Sequence, residues 1–180
     1  GADPYEILMA EAQHAPAGCE GLIFLPYLMG ERTPHLDADA KGVFFGLTAR
    51  HTRNDVIRAI LEGVAYSLRD SFEIFREMGV PITQVRASGG GARSALWRQI
   101  QADIYNTEMV TINASEGPAY GVALLAGVGT GVWRSVTEAC DACIQITGRT
   151  TPNADLVPVY DAYYAVYRSL YPQLKPAYDQ

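Results

Sequence analysis

The stretch VRASGGGARSALWRQIQADIYNTEMVTINASEGPAYGVALLAG, residues 85–127, decides how this chain folds. Val85–Ser88 reads as a short strand running straight into Gly89, Gly90 and Gly91. Leu96, Trp97, Ile100 and Ile104 then recur at helical spacing, and the pattern stops near Asn106. Met109–Ile112 is a second short strand, leading through a run of turn formers into a helix from Ala119 to about Val128. Pro118 suits the first position of that helix, where its missing N–H costs nothing. Strand, loop and helix twice over predict an α/β fold.

The loop SGGGARS, residues 88–94, carries the chemistry. Consecutive glycines take every Cβ out of a turn, so the backbone can come close to a ligand. The helix that follows offers unpaired N–H groups and the positive end of its dipole. Together these suit a phosphate or the face of a nucleotide, with a merely tight turn as the plain alternative. A phosphate loop of the GxxxxGK[ST] kind is excluded, because no Lys-Ser or Lys-Thr follows. The dinucleotide pattern GxGxxG stays open: Gly89, Gly91 and Ser94 have its spacing, Ser94 departs from its residue types, and Glu108 could meet a ribose. GVGTG at 127–131 follows a helix rather than a strand and reads as a helix stop.

Working outward, Val56, Ile60, Val64, Leu68, Phe72 and Phe75 form one apolar stripe, predicting a helix over Thr52–Met78 with that stripe in the core. Thr52 and Asp55 fit a capping box, and Gly79 with Pro81 ends the helix. Upstream, a short helix is expected within Pro4–Ala15. GLIFLPYL at 21–28 reads as a buried extended segment broken at Pro26, and residues 30–42 as a polar loop long enough to have a functional role. Downstream, Gly148–Asp155 reads as a polar turn region. Tyr160, Tyr163, Tyr167, Leu170 and Leu174 mark a last amphipathic helix. There is no repeat and no linker, so residues 1–180 are expected to be one domain.

The chain has a net charge of -6 and no basic block, which speaks against a nucleic-acid partner. No apolar stretch approaches the ~20 residues of a membrane span, so no membrane partner is expected. Three cysteines and no signal-peptide pattern predict a reducing, cytoplasmic setting. Cys140 and Cys143 form a CxxC with no second pair or clustered His, and read as packing residues; no metal site is expected.

Three segments together resemble the FGGY carbohydrate kinases. GVFFGLTARHTRNDVIRAILE, residues 42–62, is similar to their C-terminal signature, with Gly42, Phe44, Gly46, Leu47, Asp55, Val56, Ala59 and Glu62 in place. YLMGERTPHLDADAKG at 27–42 resembles the form found in xylulose kinases. SGGGARSALWRQIQADI and EGPAYGVALLAG are similar to the two ATP-side elements of the same enzymes.

The resemblance implies an actin-like, ribonuclease-H-like fold whose two domains close on a cleft, with ATP mostly on the C-terminal one. It implies ATP and Mg2+ as requirements, the metal held mainly by ATP and by parts outside this chain, and D-xylulose as the sugar. Other sugars of the family, ribulose, fuculose, gluconate or glycerol, are the near alternative. On this resemblance Gly89, Gly90, Gly91, Ala92, Ser94, Ala95, Glu116 and Gly117 are the expected ATP-binding residues, with Trp97 a weaker candidate. Tyr120 and Val122 depart from the residues commoner at their positions. Arg32 and His35 in GERTPH are candidates for a cleft loop, with fixing of that loop by hydrogen bonds as the equal alternative. Glu62 is expected to order the interior rather than to act as a base. The family's catalytic Asp and its phosphate loop have no counterpart here. The chain is therefore expected to be a C-terminal portion, incomplete at its first strands and inactive alone, meeting the sugar through a domain it lacks. An open sheet edge and apolar face would then favour a homodimer.

Overall fold

Local signals place most of the helices. A computed structural model describes residues 3–114 and 117–179. Helix α1 (Pro4–Ala12) starts where the Asp3 side chain accepts from the Tyr5 N–H at 2.9 Å. Strand β1 (Ile23–Leu25) is wholly buried and pairs antiparallel with β2 (Val43–Phe45). Between them lies the loop of residues 30–42. The polypeptide then enters α2 (Arg53–Glu77), whose first turn is fixed by Asp55 Oδ2 accepting the Thr52 N–H at 2.7 Å.

The apolar stripe expected to bury α2 is not the face it buries. Ile60, Leu68 and Phe75 remain 39%, 45% and 47% exposed. The buried face carries Asp55, Arg58, Ala59, Glu62, Gly63, Ala65, Tyr66 and Asp70. The reason is steric and electrostatic at once. Gly63 lets the β1 backbone pass so close that a Cβ there would lie 2.2 Å from the Phe24 carbonyl oxygen. The charged residues on either side meet partners from the far end of the chain.

Those partners come from α6 (Val157–Tyr178). Tyr160 accepts from Arg58 at 2.9 Å and donates to Glu62 at 3.0 Å, and Tyr164 donates to Asp70 at 2.6 Å. Tyr27 and Tyr167 share a 2.9 Å hydrogen bond. The rings of Tyr66, Tyr160, Tyr164 and Tyr167 pack on one another and on Leu25, Ile104 and Met109, forming the main core. A buried phenol contributes apolar area and a hydroxyl that needs a partner; Glu62 and Arg58 supply it for Tyr160, Asp70 for Tyr164 and Tyr27 for Tyr167, while the Tyr66 hydroxyl has none among the described residues.

The second sheet contains the predicted strand–loop–helix pairs. Strand β3 (Val85–Ala87) leads through a 3₁₀ turn (Gly90–Arg93) into α3 (Ala95–Tyr105), which ends on Asn106 in the left-handed conformation. Strand β4 (Met109–Ile112) lies parallel to β3, and after it come α4 (Gly117–Gly129) and α5 (Val136–Cys143). Strand β5 (Ile146–Thr150) pairs antiparallel with β4 and occupies part of the expected turn region. The order is β3-β4-β5. Among the described residues β3 is paired along one edge alone. No helix among them is long and apolar enough to cross a membrane.

Candidate nucleotide site

A cavity of about 200 Å³ opens at the C-terminal ends of the parallel strands β3 and β4. One wall is Ala87, Ser88, Gly89, Ala92 and Arg93; the other is Thr111, Ile112, Asn113 and Ala114. Loops leaving the carboxyl ends of adjacent parallel strands diverge, so a crevice there follows from the topology.

The glycines of the first wall are not equivalent. Gly89 sits at φ +78°, where an L side chain is strained, so its backbone freedom is used. Gly90 is at ordinary φ with open space around it. A Cβ on Gly91 would come within 3.1 Å of the Trp97 indole nitrogen, which is how Trp97 supports the loop. Ser94 caps α3, its hydroxyl accepting the Trp97 N–H at 3.2 Å, and Ala95 is the exposed first residue of that helix. Arg98 donates back to the Ala92 and Arg93 carbonyls, so the 3₁₀ turn is held from its own helix. Gly117 begins α4 against the glycine loop: a Cβ there would be 3.1 Å from Ser88 Oγ. Of the expected residues, Gly89 and Ala92 line the crevice; Gly90 and Gly91 lie in the same 3₁₀ turn, Ser94 and Ala95 at the start of α3, and Gly117 packs against Ser88. Glu116 lies outside the described residues.

Thr111 and Asn113 were not among the expected site residues. Their place at the end of the second parallel strand was the available signal. Among the described lining residues there is no carboxylate, so these residues do not fit a Mg2+ ion.

The dinucleotide alternative fares worse than the spacing suggested. It requires a continuous parallel sheet, whereas β5 is antiparallel. Glu108, its ribose candidate, instead accepts from Gln84 at 2.9 Å and from Arg149 at 2.7 Å. Cys140 and Cys143 sit within α5, not at the start of a helix after a strand as a redox pair would.

The loop of residues 30–42 is fixed from α6. His35 stacks on Tyr171 with ring centres 3.6 Å apart, and burial holds its pKa below the usual value. Asp37 accepts from the Tyr171 hydroxyl at 2.7 Å and from Lys175 at 3.1 Å. Arg32 lines a separate shallow concavity with Met29, Gly30, Glu31, Leu36, Asp37 and Ala38. His35 is therefore committed to its loop, and Arg32 faces a surface of its own.

The Tyr171 hydroxyl, aided by Lys175, holds the Asp37 carboxyl down to about 2. A folded-state value below the unfolded one, near ~3.9, gives stability that is present above the unfolded value and lost as pH falls. The stability difference between the wild type and Asp37→Asn, read by urea unfolding, should shrink from about pH 4 to about pH 2. A difference that stays constant from neutral pH to pH ~2 would refute this account of Asp37.

The buried carboxylates all have structural work. Asp55 caps α2, Asp70 takes the Tyr164 hydroxyl, and Asp103 accepts from Gln99 and the Asn153 N–H at 2.8 and 2.7 Å. Glu62 accepts from Arg58, Gly18 and Tyr160. Burial pushes its carboxyl above the usual range, against the pull of Arg58.

Comparison with known proteins gives a consistent result. Residues 2–130 match the C-terminal domain of the FGGY family of carbohydrate kinases. A xylulose kinase of Staphylococcus epidermidis is 39% identical over 173 residues, covering 96% of this chain and 35% of that protein. A gluconokinase of Bacillus subtilis is also 39% identical, over 181 residues, covering 100% of this chain and 35% of its own length. The crystal structure of xylulose kinase from Rhodospirillum rubrum superimposes with a TM-score of 0.84 at 33% identity, covering 98% of this chain and 35% of that one. The chain thus spans about a third of the length of these relatives.

Proposed function

The chain belongs to the FGGY family of carbohydrate kinases, corresponding to its C-terminal domain, and from this premise we propose that it forms the ATP side of a kinase that converts D-xylulose to D-xylulose 5-phosphate. The actin-like fold expected from the sequence accords with that membership. The observation that carries the proposal is the crevice between the glycine turn and the end of β4. Its glycine wall lets a flat base or a phosphate approach the main chain, and two helices begin beside it.

In phosphoryl transfer from ATP to a sugar, protein groups mainly position the reactants and offset the charge in flight. This chain's contribution is positioning. The residue that accepts the sugar hydroxyl's proton is sought outside these residues, because the buried carboxylates here are bound to structural partners. Gluconate is the second candidate substrate, favoured by the equal identity of the gluconokinase relative. Steady-state assays of the natural protein with each sugar decide between them. A kcat/KM higher for gluconate than for D-xylulose would overturn the pentulose reading.

The nucleotide half of the proposal is tested on the cavity wall. Ala92→Leu should project its added carbons into the crevice and weaken ATP binding by about tenfold or more in calorimetry, with Tm shifted by no more than about 2 °C. Gly90→Ala, in open space at ordinary φ, should leave Tm unchanged. ATP affinity unaffected by Ala92→Leu, or NAD bound more tightly than ATP by the wild type, would sink this half.

A further inference from the structure

We propose that Asn113 is a positioning residue for the nucleotide: it clasps one wall of the crevice, from behind, to the junction of α5 and β5. The inference rests on the crevice being the ATP site. It concerns what holds that site in shape.

The ladder between β4 and β5 fails just where the crevice begins. Thr111 pairs with Gly148, but Ile112 pairs with Ile146, so a bulge interrupts the register between them. Such a bulge ends regular pairing and bends the strand away. Asn113 restores the connection beyond it. Its main-chain N–H donates to the Gln145 carbonyl at 3.0 Å, its Oδ1 accepts the Gln145 N–H at 2.9 Å, and its Nδ2 donates to the Cys143 carbonyl at 3.0 Å. Three hydrogen bonds from one residue thus tie the crevice wall to residues 143–145. Asn113 lines the cavity, yet its amide is engaged on the far side.

The Cys143 carbonyl belongs to the last residue of α5, one of the groups a helix end leaves without an internal partner. It accepts a second bond, from the Tyr120 hydroxyl at 2.8 Å. Tyr120 lies in the first turn of α4, three residues after Gly117, which packs against Ser88 of the opposite wall. One carbonyl oxygen therefore sets both the position of residues 113–114 and the start of α4. A ligand lodged between the two walls requires that spacing to be set beforehand, and a loosened wall would raise the cost of ordering it on binding.

The test uses the natural protein carrying this chain, with ATP as varied substrate and the sugar saturating, and then the reverse. Asn113→Ala should raise KM for ATP about tenfold, equivalent to about 1.4 kcal/mol. The kcat and the KM for the sugar should stay within about twofold, a pattern that general loss of structure does not produce. Asn113→Asp keeps the acceptor for Gln145 but loses the donor to Cys143, and should behave like the Ala variant. Tyr120→Phe should raise KM for ATP in the same direction but less. Combined with Asn113→Ala it should give less than the product of the two effects, because both act through one carbonyl.

Several results would overturn the proposal. One is a folded Asn113→Ala protein with KM for ATP unchanged. A second is an Asp variant indistinguishable from the wild type, which removes Cys143 from the account. A third is a fall in Tm accompanied by equal losses toward ATP and sugar, which reduces Asn113 to a stability residue. If the wild type neither turns over nor binds ATP in calorimetry, the functional reading fails and takes this proposal with it. An active wild type matched by its Asn113→Ala variant defeats the proposal alone.

Discussion

Arg58→Ala is expected to destabilise the protein by about 3–5 kcal/mol. Arg58 and Glu62 form a 2.8 Å ion pair with side-chain exposures of 10% and 2%. The guanidinium also donates to the Ala15 carbonyl and to the Tyr160 hydroxyl, both at 2.9 Å. Removing it leaves Glu62 buried without its counter-charge and the Ala15 carbonyl without that donor. A buried carboxylate stripped of its counter-charge and a carbonyl that has lost its donor cost far more than the ion pair itself contributes. Urea unfolding with an unchanged m-value is the measurement. Should the variant not fold, Glu62→Gln gives a milder reading, because the amide oxygen still accepts from Gly18 and Tyr160. A loss below about 1 kcal/mol for Arg58→Ala would mean that water reaches the pair and that Glu62 is not sealed in the interior.

Gly63→Ala should reverse the ordinary sign of a helix substitution. In a free helix interior, alanine in place of glycine gains about 1 kcal/mol. Here the added Cβ would lie 2.2 Å from the Phe24 carbonyl oxygen and 3.0 Å from its carbon. Both are main-chain atoms of a buried strand and cannot swing aside like a flexible side chain. Forced overpacking of this kind costs about 1–3 kcal/mol, enough to outweigh the gain. Gly121→Ala in α4 is the matched control, since nothing lies within 4 Å of its added carbon, and it should stabilise by about 0.5–1 kcal/mol. Thermal unfolding of the pair decides the matter: equal shifts in one direction would show that helix propensity, not the close approach of β1, governs both sites.

What the sequence revealed and what it hid divide along a physical line. Local signals were readable. Thr52 with Asp55, the glycines after β3 and Pro118 each depend on neighbours within a few residues, and each lies where expected; of the α6 stripe Tyr160, Tyr167 and Leu170 are buried as expected, while Tyr164 takes the core place expected of Tyr163. The buried face of α2 was misjudged because Arg58 and Glu62 can be internal only if Tyr160 meets them, and nothing near α2 in the sequence announces that. Strand β2 escaped because three residues between turn formers show no period. Between Val132 and Gln145, where α5 stands, the sequence shows no clear period, and part of β5 reads as a turn because its ITGRT run mixes strand and turn residues.

The candidate site divides the same way. The glycine wall could be read from composition and placement, although not the difference between Gly89, bound by its φ, and Gly90, which is free of it. The opposite wall could not be read, since the role of Asn113 depends on a carbonyl 30 positions away.

The tyrosine bonds of α6 also impose a timetable on synthesis. Tyr160 lies 102 positions after Arg58, and Tyr167 lies 140 after Tyr27. At translation speeds of about 5–20 residues per second, the segment bearing Arg58 and Glu62 emerges roughly 5–20 s before its phenols do. During that interval Arg58, Glu62 and Asp70 lack the phenol partners that α6 brings, and the tyrosine core cannot close over them. Folding of this chain on the ribosome is thus deferred until its last described helix is made, and a pause in translation before Tyr160 would lengthen the life of an open, chaperone-accessible intermediate.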